Sequence, residues 1–338
     1  CRRDILVPTV GAASSRDRNC GSGIPAAIGT RMSLLRRYTV DPMQYLIDAS
    51  VYVFRAYYSM PDDMVDGDGH PVNALYGFCR FLGDFIERVK PEYIAVLFDE
   101  SLTKSFRTQI YPAYKANRDP APEELKRQFQ QCRRYTRALG VMELGSPEYE
   151  ADDLIGTLVE HGRRLGRPST IVSRDKDLTQ LLTREDVFWD FAGKGKLGYQ
   201  QIPDQFGVWP EQIADFLALA GDAVDNIKGV PGVGKKTAMA LLQHFGSLDD
   251  IYENLDRIHE VNVRGAKTLG GKLETHRDDA ILARRLTGIA CDAPIEGAET
   301  AMRPSSPKLG DINALFDEAN IGSALRRQAE RVADIFSS

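Results

Sequence analysis

Short apolar runs of strand length alternate with helical stretches along most of this chain, and no other feature constrains its fold as much. The runs are Tyr45-Leu46-Ile47, Tyr93 to Phe98, Thr170-Ile171-Val172 and Val187-Phe188-Trp189. Between them lie stretches with helical spacing, among them Asn73 to Val89, Glu123 to Leu139 and Ala151 to Leu165. Strands separated by helices pair in parallel, because each connection must cross over the sheet. The pattern therefore predicts an α/β fold with a mostly parallel central sheet flanked by helices, over residues 43–207. After Pro210 short helices separated by glycine-rich turns take over. That change predicts an all-helical domain over residues 208–300. Residues 301–309 read as a linker, and Ile312 to Ile335 as a terminal helical tail, within a last segment of 301–338.

Residues 1–42 are rich in Gly, Ser, Ala and Arg and lack hydrophobic periodicity, so they are expected to be a disordered extension or a stretch upstream of the true start. The chain begins with Cys1, and Met32 or Met43 offers an alternative start. Basic, Ser/Ala-bearing character would suit a transit peptide, but Asp4, Asp17 and Asp41 weaken that reading. Hydrophobic content of 43% and charged content of 27% are ordinary for a globular enzyme. No apolar run approaches the roughly 20 residues that span a bilayer. Cys1, Cys20, Cys79, Cys132 and Cys291 are scattered without a CxxC, which argues for a reducing cytoplasm and against zinc or a disulfide scaffold. The net charge of −5 hides a segregation: from Ser101 to Arg137 nine Lys/Arg face three Asp/Glu, a local balance of +6.

The acids elsewhere come in small groups. Asp48 ends the run Tyr-Leu-Ile, and Asp99 ends Ile-Ala-Val-Leu-Phe. In open α/β sheets the functional crevice lies at the carboxyl ends of strands. Either acid alone reads as readily as a helix cap or turn residue. Glu150, Asp152 and Asp153 open a predicted helix, where first-turn acids favour the helix dipole. Three acids exceed what that role needs. Asp175 and Asp177 follow the strand Thr170 to Val172, and Asp222 and Asp225 stand where the helical part begins. Nine carboxylates at five places, most expected at one edge, would repel strongly unless cations sat among them. With only oxygen donors, Mg²⁺ or Mn²⁺ fits better than zinc. Oxygen ligands, two such ions and a basic arm together suggest phosphoryl transfer to water.

At these residues a family resemblance emerges. The strings YLIDASVYVFRAYYS, VLFDE, FRTQIYPAYKANR, YEADDLIGTL, SRDKDLTQL and GDAVDNIKGVPGVGKKTA resemble the 5′ nuclease domain of bacterial DNA polymerase I and its free-standing relatives, of the flap-endonuclease superfamily. The likeness runs in order from about Tyr45 to about residue 300. No polymerase or proofreading region follows, so the expected form is a stand-alone 5′–3′ exonuclease. The resemblance implies a PIN-like or resolvase-like core and a helix–three-turn–helix domain. It implies that Asp48, Asp99, Glu150 and Asp152 hold a first metal, and Asp153, Asp175, Asp177 and Asp225 a second, with Asp222 close by. The basic arm over about 101–137 is similar to the family's helical arch, which passes a 5′ single strand. Lys115 and Arg118 match cations that contact the scissile phosphate. Phe54 stands where relatives stack an aromatic on a base, and it serves equally well as a core residue. Arg55, Phe106, Arg107, Tyr111 and Tyr114 are weaker candidates for strand contact.

Gly229 to Thr237 resembles a P-loop, but Lys236 stands where Ser or Thr must hold Mg²⁺, and no apolar strand precedes it. A hairpin between helices that grips a phosphate fits better. By resemblance, Gly232, Gly234, Lys235 and Lys236 would contact the duplex, and the carbonyls of Lys228, Val230 and Val233 would bind K⁺. The expected function is structure-specific hydrolysis of DNA, leaving 5′-phosphate ends, with two Mg²⁺ ions (or Mn²⁺) roughly 4 Å apart. The expected partner is DNA with a 5′ flap or 5′ end, bound by a cytoplasmic monomer of bacterial type. The rivals are a non-catalytic binder of branched DNA on the same fold and a P-loop ATPase.

Overall fold

The computed structural model describes residues 43–100, 104–191, 193, 195–295, 297 and 301–337. The expectation for residues 1–42 lies outside them. At the centre is a six-stranded sheet of order β3-β2-β1-β4-β5-β6. Its strands are β1 (Gln44–Asp48), β2 (Tyr93–Asp99), β3 (Met142–Ser146), β4 (Ser169–Val172), β5 (Val187–Asp190) and β6 (Gly195–Gly198). The first five run parallel, and β6 pairs antiparallel with β5 at the edge. Parallel pairing aligns Asp48 with Leu97 and Asp99 with Ser146, so both acids end strands at the same edge.

Alternating side chains divide the core between the two faces. Leu46, Ala95, Leu97 and Ile171 face one side, where α5 (Ala151–Arg164) packs with the helical part of the chain. Ile47, Ile94, Val96, Phe98 and Val172 face the other. There they meet α1 (Ala49–Ser59), α2 (Asn73–Val89) and α4 (Glu123–Ala138), which lies beyond the short α3 (Phe106–Ile110). α2 and α4 have clear amphipathic stripes: Phe78, Leu82, Phe85 and Ile86 on one, Leu125, Cys132 and Tyr135 on the other, all buried.

The helical part comprises α6 (Ile202–Phe206), α7 (Ile213–Ala220), α8 (Lys235–Phe245), α9 (Leu248–Glu253), α10 (Ala266–Thr275) and α11 (Arg277–Thr287). It shares one hydrophobic core with the α5 face of the sheet, and the described residues form a single unit. One expectation needs correction. The basic arm is not a free arch throughout, because α4 buries its apolar stripe against α2. The described part before it, residues 104–122, holds α3 and a series of turns, with Ser105, Arg107 and Tyr114 buried. The terminal segment is helical and packs on the core. α12 (Leu309–Glu318) and α13 (Ser323–Ser337) bury Ile312, Leu315, Phe316, Leu325 and Val332, and the ring of Phe316 stacks on Tyr135 at 5.7 Å. The linker before them is bonded in place: Met302 is buried and its carbonyl accepts Ile94 N–H at 2.9 Å. Lys308 N–H donates to the Ala138 carbonyl at 2.7 Å. Among the described residues no helix is long and apolar enough to cross a membrane.

Candidate metal centre and nucleic-acid interface

The five acidic groups are delivered by five local devices. Asp48 ends β1 and is buried, its Oδ2 accepting the Ser173 hydroxyl at 2.7 Å. Asp99 ends β2, and its Oδ1 accepts Ala151 N–H at 2.9 Å, which caps the first turn of α5. Glu150 is the N-cap of that helix, and its N–H donates to Asp153 Oδ2 at 3.0 Å. After β4 the loop folds on itself: Ser173 Oγ accepts Asp175 N–H, and Asp175 Oδ1 accepts Asp177 N–H, each at 2.9 Å. Asp222 and Ile227 pair through two backbone hydrogen bonds of 2.9 and 2.7 Å, closing a small hairpin that presents Asp225.

These acids feel one another. Burial first, then the charges of Asp99 and Asp175, push Asp48 up to about 7. Burial, Asp175, Asp48 and Asp99 hold Asp152 well above the usual carboxylate range. Asp177 is also pushed up to about 7, by burial and then by Asp175, Asp222 and Asp225. Asp175 has an exposed tip but is ringed by protein, and lost hydration together with Asp225 and Asp222 raises it. The pattern resolves two overlapping groups, Asp48–Asp99–Asp152 and Asp177–Asp222–Asp225, with Asp175 interacting with both. A cleft lined by Glu150, Asp152, Asp177, Asp222 and Asp225 opens between them and the end of α11.

Basic side chains reach into the same cleft. Lys115 Nζ lies 2.8 Å from Glu150 Oε2 and 3.7 Å from Asp225 Oδ2, and Arg118 pairs with Asp225 Oδ1. Burial would raise Glu150, but Lys115 and Arg107 outweigh it and hold this carboxyl below its usual range. The turn carrying these cations is laced to the acidic hairpin: Lys115 N–H donates to the Asp225 carbonyl at 3.0 Å, and Asn226 Nδ2 to the Ala113 carbonyl at 2.7 Å. Lys115 adopts φ of 52°, a left-handed conformation that costs a non-glycine residue about 1 kcal/mol. Among the described residues no three acids close tightly enough to enclose an ion. Cationic side chains supply the countercharge in this structure.

Three predicted roles are overturned by burial. Asp153 is fully buried and its oxygens are taken: Arg107 forks onto both at 2.7 and 2.8 Å, while Glu150 N–H and Ala290 N–H donate at 3.0 and 2.9 Å. It has no lone pair to offer a metal. Arg107 is 3% exposed and spends its remaining donors on the Leu286 and Gly288 carbonyls, so it cannot touch a DNA strand. Tyr114 is likewise interior, its hydroxyl lying 3.0 Å from Glu150 Oε2 and 3.1 Å from Asp225 Oδ2. It lies between the acids instead of facing a strand, a role that sequence pattern gave no signal for. Ser173 was missed for the same reason: a neutral hydrogen-bonding side chain beside an acid carries no periodicity or charge to flag it.

The remaining strand candidates differ in access. Phe54 is 40% exposed on α1, with its ring edge-on to Phe129 and parallel to Tyr58, which is 72% exposed. Arg55 is exposed beside it. Phe106 and Tyr111 are half-buried, Phe106 against Tyr149. Val230 and Val233 are buried in the turn before α8, whereas Lys228, Gly232, Gly234, Lys235 and Lys236 are exposed around it. Gly232 at φ of 84° gives this turn a bend that a side-chain residue resists.

Comparison with known proteins adds independent information. Residues 43–207 match the model of the 5′-3′ exonuclease N-terminal resolvase-like domain, and 208–309 that of the 5′-3′ exonuclease C-terminal SAM fold. The chain is similar to a 5′-3′ exonuclease of Aquifex aeolicus, 33% identical over 282 residues that cover 83% of this chain and 93% of that one. It is 37% identical to DNA polymerase I of Pseudomonas aeruginosa over 274 residues, 81% of this chain but only 30% of the polymerase. Its fold is also that of bacteriophage T5 D15 flap endonuclease in a complex with DNA and metal ions. That likeness has a TM-score of 0.58 and 18% identity, covering 87% of this chain and 99% of the phage chain.

Proposed function

The chain belongs to the 5′-3′ exonuclease family, and from that premise we propose that it hydrolyses DNA phosphodiester bonds at 5′ ends or flaps, using divalent cations held by its carboxylates. The observation that carries this reading is the convergence of acids from five separate segments, close enough to raise one another's affinity for protons. A fold gains no stability from such crowding, whereas a site for hard cations requires it. The donor set suits Mg²⁺ or Mn²⁺, since every candidate ligand is a carboxylate oxygen. Glu150 Oε1 also fits: it is buried with no hydrogen-bond partner, an acceptor aimed at nothing the protein supplies.

Asp48, Asp99, Glu150 and Asp152 would hold one ion, and Asp175, Asp177, Asp222 and Asp225 a second. Bound there, such cations favour loss of a proton from water and offset charge on the leaving oxygen. The protein's own part is to bring the phosphate in and hold it. Lys115 and Arg118, now paired with Glu150 and Asp225, would turn to the phosphodiester and neutralise its charge. The turn before α8 would grip a duplex phosphate with its amides, helped by Lys235 and Lys236, whatever the base sequence. Carbonyls of Lys228, Val230 and Val233 could hold a K⁺ ion at that turn. Phe54 would stack on a base beside the cut. The T5 D15 endonuclease carries DNA and metal ions on the same fold, which supports DNA and metal as ligands of this one.

Incubation with a 5′-flap DNA tests the proposal. Cleavage that leaves a 5′ phosphate in Mg²⁺ and stops in EDTA is expected. Binding without cleavage in either Mg²⁺ or Mn²⁺ would instead identify a non-catalytic binder of branched DNA.

A further inference from the structure

Two of the acid-bearing turns are tied to the same short stretch of backbone. The first tie runs through Arg107. Its Nε donates to the Leu286 carbonyl at 2.8 Å and its Nη2 to the Gly288 carbonyl at 2.8 Å. Its fork onto Asp153 then reaches the start of α5, because Asp153 Oδ2 accepts Glu150 N–H at 3.0 Å. Ala290 N–H closes the circuit on Asp153 Oδ1 at 2.9 Å. The second tie runs through Gln180. Its Nε2 lies 3.1 Å from the Thr287 carbonyl and 3.0 Å from the Asp177 carbonyl, and its Oε1 accepts Ile289 N–H at 3.1 Å.

We propose that Leu286–Ala290 is a positioning strap that sets the separation of the two acidic turns, with Arg107 and Gln180 as its clasps. Every group the strap offers to its clasps is backbone and has no rotamer freedom. The two turns it joins follow β3 and β4, which are not neighbours in the sheet. Between them the clasps fix the peptides of Glu150 and Asp177, one from each group of acids. The strap is itself anchored in the helical part, where Thr287 Oγ1 donates to the Ala214 carbonyl of α7 at 3.0 Å. It therefore links the part of the chain that carries the phosphate-gripping turn to the spacing of the carboxylates. Asp153 owes its place beside two ligand candidates to this work, which a ligand could not do.

The inference rests on the carboxylates holding divalent cations, and its test separates the two claims. Mn²⁺ is titrated by calorimetry into the full chain and into Gln180→Leu, which removes one clasp from a half-buried position. Arg107→Lys, which keeps the charge and loses the fork, is the second variant. All are measured below their own melting temperatures, with kcat and KM on 5′-flap DNA in parallel. Loss of an outer hydrogen bond to a metal site weakens the metal by about 10- to 100-fold. That loss is expected for Gln180→Leu, with kcat reduced and KM for DNA unchanged. If Arg107→Lys does not fold, Gln180→Leu decides alone. Wild-type Mn²⁺ affinity in Gln180→Leu overturns the strap and leaves the metal site standing. A wild-type chain that takes up no Mn²⁺ overturns both.

Discussion

Asp48 and Asp177 are carboxyls that keep their protons to about pH 7 when no cation is present, and this has a measurable consequence. The unfolded chain releases the same protons near pH 4. Between those values the native state binds more protons, so its stability falls as pH rises from about 4 to about 7. In EDTA the unfolding free energy from urea titrations should drop over that window, by on the order of a few kcal/mol in total, and Mg²⁺ should restore it at pH 7.5. A flat or rising profile would show that these acids are not crowded. Asp177→Ala should abolish cleavage of a 5′ flap and leave binding intact, as seen by gel shift; cutting at the wild-type rate would remove Asp177 from the ligand set. Most of these acids were legible because they follow apolar runs or open a helix. Asp153 was not, since nothing in the string YEADDL tells which acid will turn toward an arginine more than forty positions earlier.

At the scale of elements, the helices and the buried parallel strands were legible because their signal is local. Observed bounds of α2, α4 and α5 agree with the periodicity to within a residue. Two strands were not legible. β3 reads Met-Glu-Leu-Gly-Ser and β6 reads Gly-Lys-Leu-Gly, sequences whose extended form is imposed by neighbouring strands and not by their own composition. The packing of α12 and α13 was equally hidden, because an amphipathic helix does not announce its partner. Phe316 is fully buried against Tyr135, so Phe316→Ala should cost about 3–5 kcal/mol in chemical denaturation. A loss below about 1 kcal/mol would mean that the last two helices are not part of the core.

For the molecule as a whole, a net charge of −5 and the proposed affinity for a polyanion are compatible because the charges are sorted. Acids are brought near one another by the ends of several strands and by the helical part, and the cations of the 113–118 turn pair with Glu150 and Asp225 there. Exchange of those cations for metal and phosphate is the step on which the account turns. Anomalous diffraction from crystals soaked in Mn²⁺ observes it directly. Two peaks are predicted, one among Asp48, Asp99, Glu150 and Asp152 and one among Asp175, Asp177, Asp222 and Asp225, with Lys115 and Arg118 swung away. Density showing Lys115 still on Glu150 and no manganese in the cleft would contradict it.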